Sequence, residues 1–431
     1  MKYLPIDSTL FIENRKRFTA KLKPNSLAIF NANDMMPRNA DAQHVWRQNS
    51  DLFYLTGIDQ EETVLMLFPD CEIDNRKEIL FIKRTSEEIA TWEGHKYTMA
   101  EAKTVSGIQH IFWLDQMPPI LNLLMRHAEH VYVNTNENDR YVHEVAYRDL
   151  RFVHRLMKGY PAHSYQRSAP LMASLREIKS ATEIELIDKA VQLAKQAFFR
   201  MAKKVKPGVW EYELEAEMIH EYISNRATGH AFEPIIASGK NSCVLHYTKN
   251  NEQLKDGDVL LLDFGAEYAM YNSDITRVLP VNGKFTPRQL EVYNAVLTIQ
   301  KEAKKMLIAG NERQPYEIEV GKVATEQLIK LGVLKQEDVL KQSADAPLYK
   351  KYFMHGTSHF LGLDVHDIGN YYGNKFAAGM ILTCEPGIYI KEEGIGIRLE
   401  NDILITENGN IDLMEKAGIP IEATDIEALM R

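Results

Sequence analysis

Four acids stand where acids are costly. Asp263 closes the apolar run Asp258-Val-Leu-Leu-Leu-Asp263, and Asp274 lies within Tyr271-Asn-Ser-Asp-Ile-Thr-Arg-Val278. Glu385 closes a second apolar run, Met380-Ile-Leu-Thr-Cys-Glu385, and Glu400 sits midway along the stretch Ile395 to Thr406. Each alone also fits a turn or cap residue. Carboxylates gathered in apolar surroundings repel one another and lose hydration, and cations between them resolve both problems. Between the two pairs lies His355-Gly-Thr-Ser-His359. Two histidines four apart suit a metal-binding helix, but Gly356 stands where the helical signature needs Glu, and Gly-Thr-Ser is a poor helix. Either histidine alone fits a core or surface role; beside four acids, His359 reads as a ligand. Two divalent ions and a bridging hydroxide would bring four carboxylates near neutrality, whereas one ion would leave strong repulsion. Oxygen-rich ligation with one imidazole suits Mn²⁺, and Co²⁺, Fe²⁺ or Zn²⁺ also fit. Such a pair activates water and polarises a carbonyl or phosphoryl oxygen. The chain has no glycine-rich phosphate cradle, so acyl chemistry is the preferred reading.

The elements that must position these residues follow from local patterns. Lys255-Asp256-Gly257 is a turn signal, so 258–263 reads as a buried strand, with Val259, Leu261 and Asp263 on one face. Residues 271–278 suit a second strand, and Gly265-Ala266-Glu267 suits a hairpin turn between them. Thr182-Glu183-Ile184-Glu185 reads as a capping box opening a long helix, closed by Lys203, Lys204 and Lys206 and by Pro207-Gly208. Helices are predicted at 211–225, 287–309 and 315–332. Helices followed by an acid-bearing strand pair thus occur twice, which reads as a duplicated architecture facing one centre. Further upstream, a helix at 8–22, strands at 26–32, 63–68, 78–83 and 131–133, and helices at 98–105, 116–126 and 139–157 alternate as in an α/β domain. Gly159-Tyr160-Pro161 breaks that pattern, and a linker is expected after it. The division predicted is 1–165 and 170–431.

Composition narrows the class. The chain has 431 residues, 45% of them hydrophobic, enough for two cored domains. A net charge of -9 argues against nucleic acid or an anionic membrane as partner. Three cysteines, Cys71, Cys243 and Cys384, make no disulfide framework and fit a reducing compartment. No signal peptide or membrane span is expected, so the reading is cytoplasmic.

In order, Asp263, Asp274-Ile-Thr-Arg277, His355-Gly-x-x-His359, Glu385-Pro-Gly-x-Tyr389 and Gly396-Ile-Arg398-x-Glu400 resemble the pita-bread metallopeptidases, and among them the Xaa-Pro aminopeptidase (aminopeptidase P) group. Asn39-Ala-Asp41 and Arg47-Gln-Asn-Ser-Asp-Leu-Phe-Tyr54-Leu-Thr-Gly57 resemble that group's N-terminal domain. Cys243-Val-Leu-His246-Tyr and Gly362-Leu-Asp-Val-His366-Asp resemble its substrate-side histidine motifs. The resemblance covers nearly the whole chain. It implies an α+β pita-bread catalytic domain preceded by a smaller α/β creatinase/aminopeptidase P-like domain. It implies two ions held by Asp263, Asp274, His359, Glu385 and Glu400, with Asp274 and Glu400 contacting both.

The activity implied is hydrolysis of the first peptide bond when proline is second. A metal-bridging hydroxide would attack a carbonyl polarised by metal and by His246. Glu385 would take the water proton and return one to the departing proline nitrogen, with His355 and His366 assisting; the three histidines could exchange roles. Arg398, two residues before Glu400, is placed behind the ligands or on the substrate, with a partly buried salt bridge as the plain reading. Tyr389 is read either behind the ligands or as a core tyrosine. Asp41 and Trp92 would reach a neighbouring subunit's cleft in a homodimer or homotetramer, against plainer roles as cap and packing. Cys384 points away from Glu385 and is read as core. The chain from Tyr389 to Gly394 is shorter than in many relatives, which bears on the peptide length accepted. The alternatives kept are prolidase, restricted to X-Pro dipeptides, methionine aminopeptidase, which usually lacks so large a first domain, and a non-catalytic pita-bread peptide-binding module.

Overall fold

In the computed structural model of the chain, residues 3–138, 141, 144–343 and 345–430 are described. The chain divides into two compact units, Tyr3–Arg176 and Glu177–Arg431.

The first unit is built on a six-stranded sheet. Its strands are β1 (Ser26–Asn31), β2 (Val64–Leu67), β3 (Glu78–Ile82), β4 (His110–Trp113), β5 (His130–Val133) and β6 (Ser164–Arg167), ordered β4-β3-β2-β1-β5-β6. β1–β2 and β2–β3 are antiparallel, and the remaining pairs are parallel. Side chains alternate across the sheet. Leu27, Ile29, Val64, Met66, Ile79, Phe81, Val131 and Val133 form one core with Leu124 of the helix Met117–His127 and Phe152 of the helix Arg148–Gly159. On the other face, Phe30 meets Phe18 of the helix Ser8–Thr19 edge to face, at 5.2 Å. Helices on both faces explain why the central strands β1, β2, β3 and β5 are largely apolar and buried.

The predicted linker is not one: β6 and the helix Ala169–Arg176 occupy it. The sequence Ser-Tyr-Gln-Arg is too polar and short to announce an edge strand. The expected helix at 139–157 begins at Arg148, and residues 139, 140, 142 and 143 of that expectation lie outside the described residues.

The second unit begins its long helix at Ala181, and the capping box is Ser180 with Glu183, not one opened by Thr182. Ser180 has the extended backbone and the side-chain bond to the Glu183 N–H that a cap needs, leaving Thr182 inside the first turn. Helices Ala181–Ala202 and Glu211–Ser224 accompany one antiparallel sheet: β7 (Ile235–Ser238), β8 (Val259–Phe264) and β9 (Ile275–Pro280). Helices Pro287–Met306 and Arg313–Lys330 accompany a second, formed by β10 (Ile381–Cys384), β13 (Asn401–Thr406) and β14 (Gly409–Asp412). Between β10 and β13, β11 (Gly387–Ile390) and β12 (Ile395–Arg398) form a hairpin.

Two expectations are corrected here. The β8–β9 connection does not turn at Gly265-Ala266-Glu267. It extends through Ala266–Tyr268 and turns at Ala269 and Met270, both with positive φ, before Tyr271–Asn272 returns. Gly265 serves close approach instead: a Cβ there would lie 1.8 Å from the Ser273 carbonyl oxygen. The expected single strand from 395 to 406 breaks at Leu399-Glu400.

A buried acid in the first unit gives a pH test. Asp149 accepts a 2.6 Å hydrogen bond from Asn31 Nδ2 at the base of the sheet. Burial pushes its carboxyl up to about 8, so between its ordinary range and that value the folded chain holds a proton that the unfolded chain has lost. Stability therefore falls as pH rises through this window, by at most about 1.4 kcal/mol per unit. Asp149→Asn keeps an acceptor without the charge. Its gain in thermal midpoint over wild type should grow between pH 5 and 8; a gain independent of pH would contradict the assignment.

Candidate metal centre

The acids reach one pocket from separate stretches. In the β8–β9 ladder Asp263 faces Thr276, and Asp274 lies just before β9. The second half docks onto this ladder through Glu400, in the gap between β12 and β13. Its N–H donates to the Thr276 carbonyl at 3.2 Å, and Thr276 Oγ1 donates back to Glu400 Oε2 at 2.6 Å. The Asp274 N–H donates to Asp402 Oδ2 at 3.1 Å. The two halves are thus clasped at the acids themselves. Asp263, Asp274, His359 and Glu400 are buried, while Glu385, following β10, is partly exposed.

Burial pushes the carboxyls of Asp274, Glu385 and Glu400 well above the usual range, and the acids reinforce one another. Asp263 and Glu385 act on Asp274, Asp274 on Glu400, and Glu400 on Glu385. The buried guanidinium of Arg398 opposes this. It pairs with Asp263 Oδ2, donates to Tyr389 Oη at 2.8 Å and donates through Nε to Thr276 Oγ1 at 3.2 Å. One guanidinium cannot neutralise four carboxylates.

The two histidines of His355-Gly-Thr-Ser-His359 are held differently. His359 Nδ1 lies 3.0 Å from the Phe360 carbonyl, to which its N–H donates, leaving the Nε2 lone pair inward. That Nε2 stands 3.5 Å from Asp274 Oδ2 and 3.7 Å from Glu385 Oε1. His355 Nδ1 lies 2.8 Å from the Gly356 carbonyl, and its Nε2 lies 2.8 Å from Tyr389 Oη. Burial pushes His355 down to about 3, helped by Arg398, Lys350 and His246 nearby, so it is neutral. The His366 ring packs edge-on against His359 at 4.4 Å. His246 is exposed on the loop after the turn Gly239–Cys243.

The pocket fits divalent cations. Ligand atoms of Asp274, His359 and Glu400 lie within 4.8 Å of one another. Asp263 Oδ1 and Asp274 Oδ1 are buried without a hydrogen-bond partner among the described residues. A bare imidazole lone pair facing carboxylate oxygens is repulsive until a cation lies between them. Cys384 faces away, its thiol directed to the Gln300 carbonyl at 3.7 Å. Asp41 and Trp92 belong to the first unit, and both are exposed. Sequence reasoning gave no role to Thr276 or Asp402. Thr276 lies within Asp274-Ile-Thr-Arg277, and Asp402 stands two residues beyond Glu400, the alternation that a strand would have signalled.

A family model described as Metallopeptidase family M24 matches residues 185–407, and one described as Aminopeptidase P, N-terminal domain, matches residues 11–132. The Xaa-Pro aminopeptidase of Haemophilus influenzae is 34% identical, over 97% of this chain and 96% of its own length. That of Escherichia coli is also 34% identical, over 97% of each. Among solved structures, aminopeptidase PepP of Pseudomonas aeruginosa superposes with a TM-score of 0.90 at 33% identity, covering 99% of this chain and 98% of its own. Aminopeptidase P from Escherichia coli with the inhibitor Pro-Leu gives a TM-score of 0.87 at 33% identity, covering 99% of both chains.

Repulsion among the acids gives a prediction of opposite signs. Asp274→Asn removes one charge from the cluster, so the metal-free protein should melt higher than wild type. The same change removes a ligand, so the rise in midpoint on adding Mn²⁺ should shrink and bound metal, measured by elemental analysis, should fall. A variant that binds metal as wild type does would refute the ligand role.

Proposed function

The chain belongs to metallopeptidase family M24 and is a metal-dependent aminopeptidase, and from that premise we propose that it removes the first residue from peptides whose second residue is proline. Its second unit has the pita-bread fold of that family. The observation carrying the reading is the convergence of Asp263, Asp274, His359, Glu385 and Glu400 on one acid-rich pocket that fits divalent ions. Those five residues would hold two ions. The donor set, rich in oxygen with a single imidazole, suits Mn²⁺ first. Bound there, the ions supply Lewis acidity and an acidified water.

The chain's own residues do the rest. An X-Pro bond is a tertiary amide with no N–H, so recognition must rest on the free amine, the carbonyl and the proline ring. The acid-rich pocket attracts the substrate's ammonium group. Glu385, the most open of the four acids, takes a proton from the attacking water and returns one to the departing proline nitrogen. His246, exposed near the pocket, donates to the carbonyl oxygen as negative charge develops there. His355, kept neutral, and His366 line the path of the peptide. Arg398 fixes Asp263 and Tyr389, and Tyr389 in turn fixes His355.

Assembly and location belong to the same reading. Trp92 is 84% exposed and Asp41 is exposed, which leaves both available to a neighbouring copy in the homodimer or homotetramer proposed. All three cysteines are free and buried, which supports the cytoplasm as the working compartment. No helix among the described residues is long and apolar enough to cross a membrane.

Digestion of Arg-Pro-Pro and Gly-Pro by the Mn²⁺-loaded protein tests the substrate class. Release of arginine from the tripeptide, abolished by a chelator and restored by Mn²⁺, is the expected result. Cleavage of Gly-Pro alone would make the protein a prolidase, and cleavage of neither would reject the proline specificity.

A further inference from the structure

We propose that Glu211 and Tyr247 form a tether that sets the place of His246, making both of them positioning residues for the carbonyl-polarising step; this rests on the role given to His246 above. Glu211 opens the helix Glu211–Ser224 and is fully buried. Its Oε1 accepts hydrogen bonds from Ser238 N at 2.8 Å and Ser238 Oγ at 2.7 Å. Its Oε2 accepts from Tyr247 Oη at 2.8 Å and Glu252 N at 3.0 Å. Four donors fill the capacity of one carboxylate. All four come from the two ends and the middle of a single segment, 238–252, which carries His246. A backbone bond from Glu211 N to the Glu252 carbonyl, 3.0 Å, closes the same segment.

The segment needs such a clamp. Asn250 holds a left-handed backbone, with φ of 46°. Its side chain accepts from Ile236 N and donates to Glu215 Oε2 and the Pro234 carbonyl. Between these anchors the chain is irregular, and Val244, His246, Thr248 and Lys249 are exposed. His246 is exposed and makes no hydrogen bond of its own among the described residues, so its side chain has no anchor of its own. Its place is inherited from the backbone of Tyr247, whose ring is buried and whose phenol, pushed up to about 12 chiefly by burial, keeps the proton it donates.

The alternative is that Glu211 merely fastens its helix to the sheet. The two differ in whether the tether acts through His246. Tyr247→Phe deletes one hydroxyl and leaves Glu211 three donors. On the metal-loaded protein, with Arg-Pro-Pro as substrate, it should lower kcat roughly tenfold while KM moves little, because the loss falls on the developing oxyanion. Bound metal should be unchanged. In a His246→Ala background the same substitution should cost nothing further. Rates are taken per metal-loaded, folded protein, well below each variant's thermal midpoint, so partial unfolding does not mimic the effect. An equal loss in both backgrounds, or no loss in the first, overturns the tether and leaves the aminopeptidase reading standing. Wild-type activity in His246→Ala alone overturns the role of His246 and the tether with it.

Discussion

Like charges buried side by side are the constraint on which the second unit depends. Asp263, Asp274 and Glu400 are all withdrawn from water; burial, with Asp263 beside it, raises the cost of charge on Asp274, and burial, with Asp274 and Asp263, raises it on Glu400. A loose scaffold would let them swing apart into solvent. The chain prevents this by placing each acid near the end or in a gap of a strand and fastening the backbone around it, with Arg398 held on Asp263. Thr276 donates to Glu400, the Glu400 N–H reaches back to Thr276, and the Asp274 N–H reaches Asp402. These bonds run between the two sequence halves, so the contacts that assemble the pocket also join the halves. The repulsion that remains is what divalent cations relieve, which links metal binding to the stability of the same fold.

How much of this was legible in the sequence depends on the distance over which each feature is decided. An apolar run that ends in an acid singles out Asp263 and Glu385, yet each alone also fits a turn or cap residue, and the reading came from four acids with His359 in one chain. Strands β1, β2, β3, β5, β8 and β10 were legible because their apolar and β-branched residues are contiguous, whereas β4 (His110–Trp113) and the buried β7 (Ile235–Ser238) were not predicted. Features decided by tertiary contact were not legible. Gly265 looks like a turn residue, yet it is small because the Ser273 carbonyl passes against it. The true turn falls at Ala269 and Met270, two residues without the usual turn chemistry, buried and held left-handed by the strands that flank them. The break at Glu400 is likewise set from outside, by the bridge to Thr276.

The helix boundary at Ser180 shows a local rule misplaced by two residues. Both Ser180 and Thr182 precede a glutamate three residues on, so either could open a capping box. The choice falls to Ser180 because the Lys179 N–H is already bonded to the Gly379 carbonyl, and the Lys179 ammonium meets Asp367 in a fully buried pair, 3.3 Å apart. The chain is thereby held extended up to residue 180 and is free to wind only beyond it. The same pair ties the start of the helix to the loop that carries His366.

The pair of histidines in His355-Gly-Thr-Ser-His359 shows why residue type and spacing stop short of role. His359 is buried and His355 half-buried, and both send Nδ1 to a backbone carbonyl, which leaves Nε2 as the working atom in each. What Nε2 meets then separates them. For His359 it meets carboxylate oxygens, acceptor against acceptor, a contact that is favourable only with a cation between. For His355 it meets Tyr389 Oη, which already accepts from Arg398 and so has its own proton to give. That bond occupies the lone pair a metal would need. The neighbouring guanidinium, with burial, keeps the ring from taking up a second proton. One histidine is thus open to metal and the other closed to it, and the difference is made by Arg398 and Tyr389 on the opposing hairpin rather than by anything within the five-residue segment.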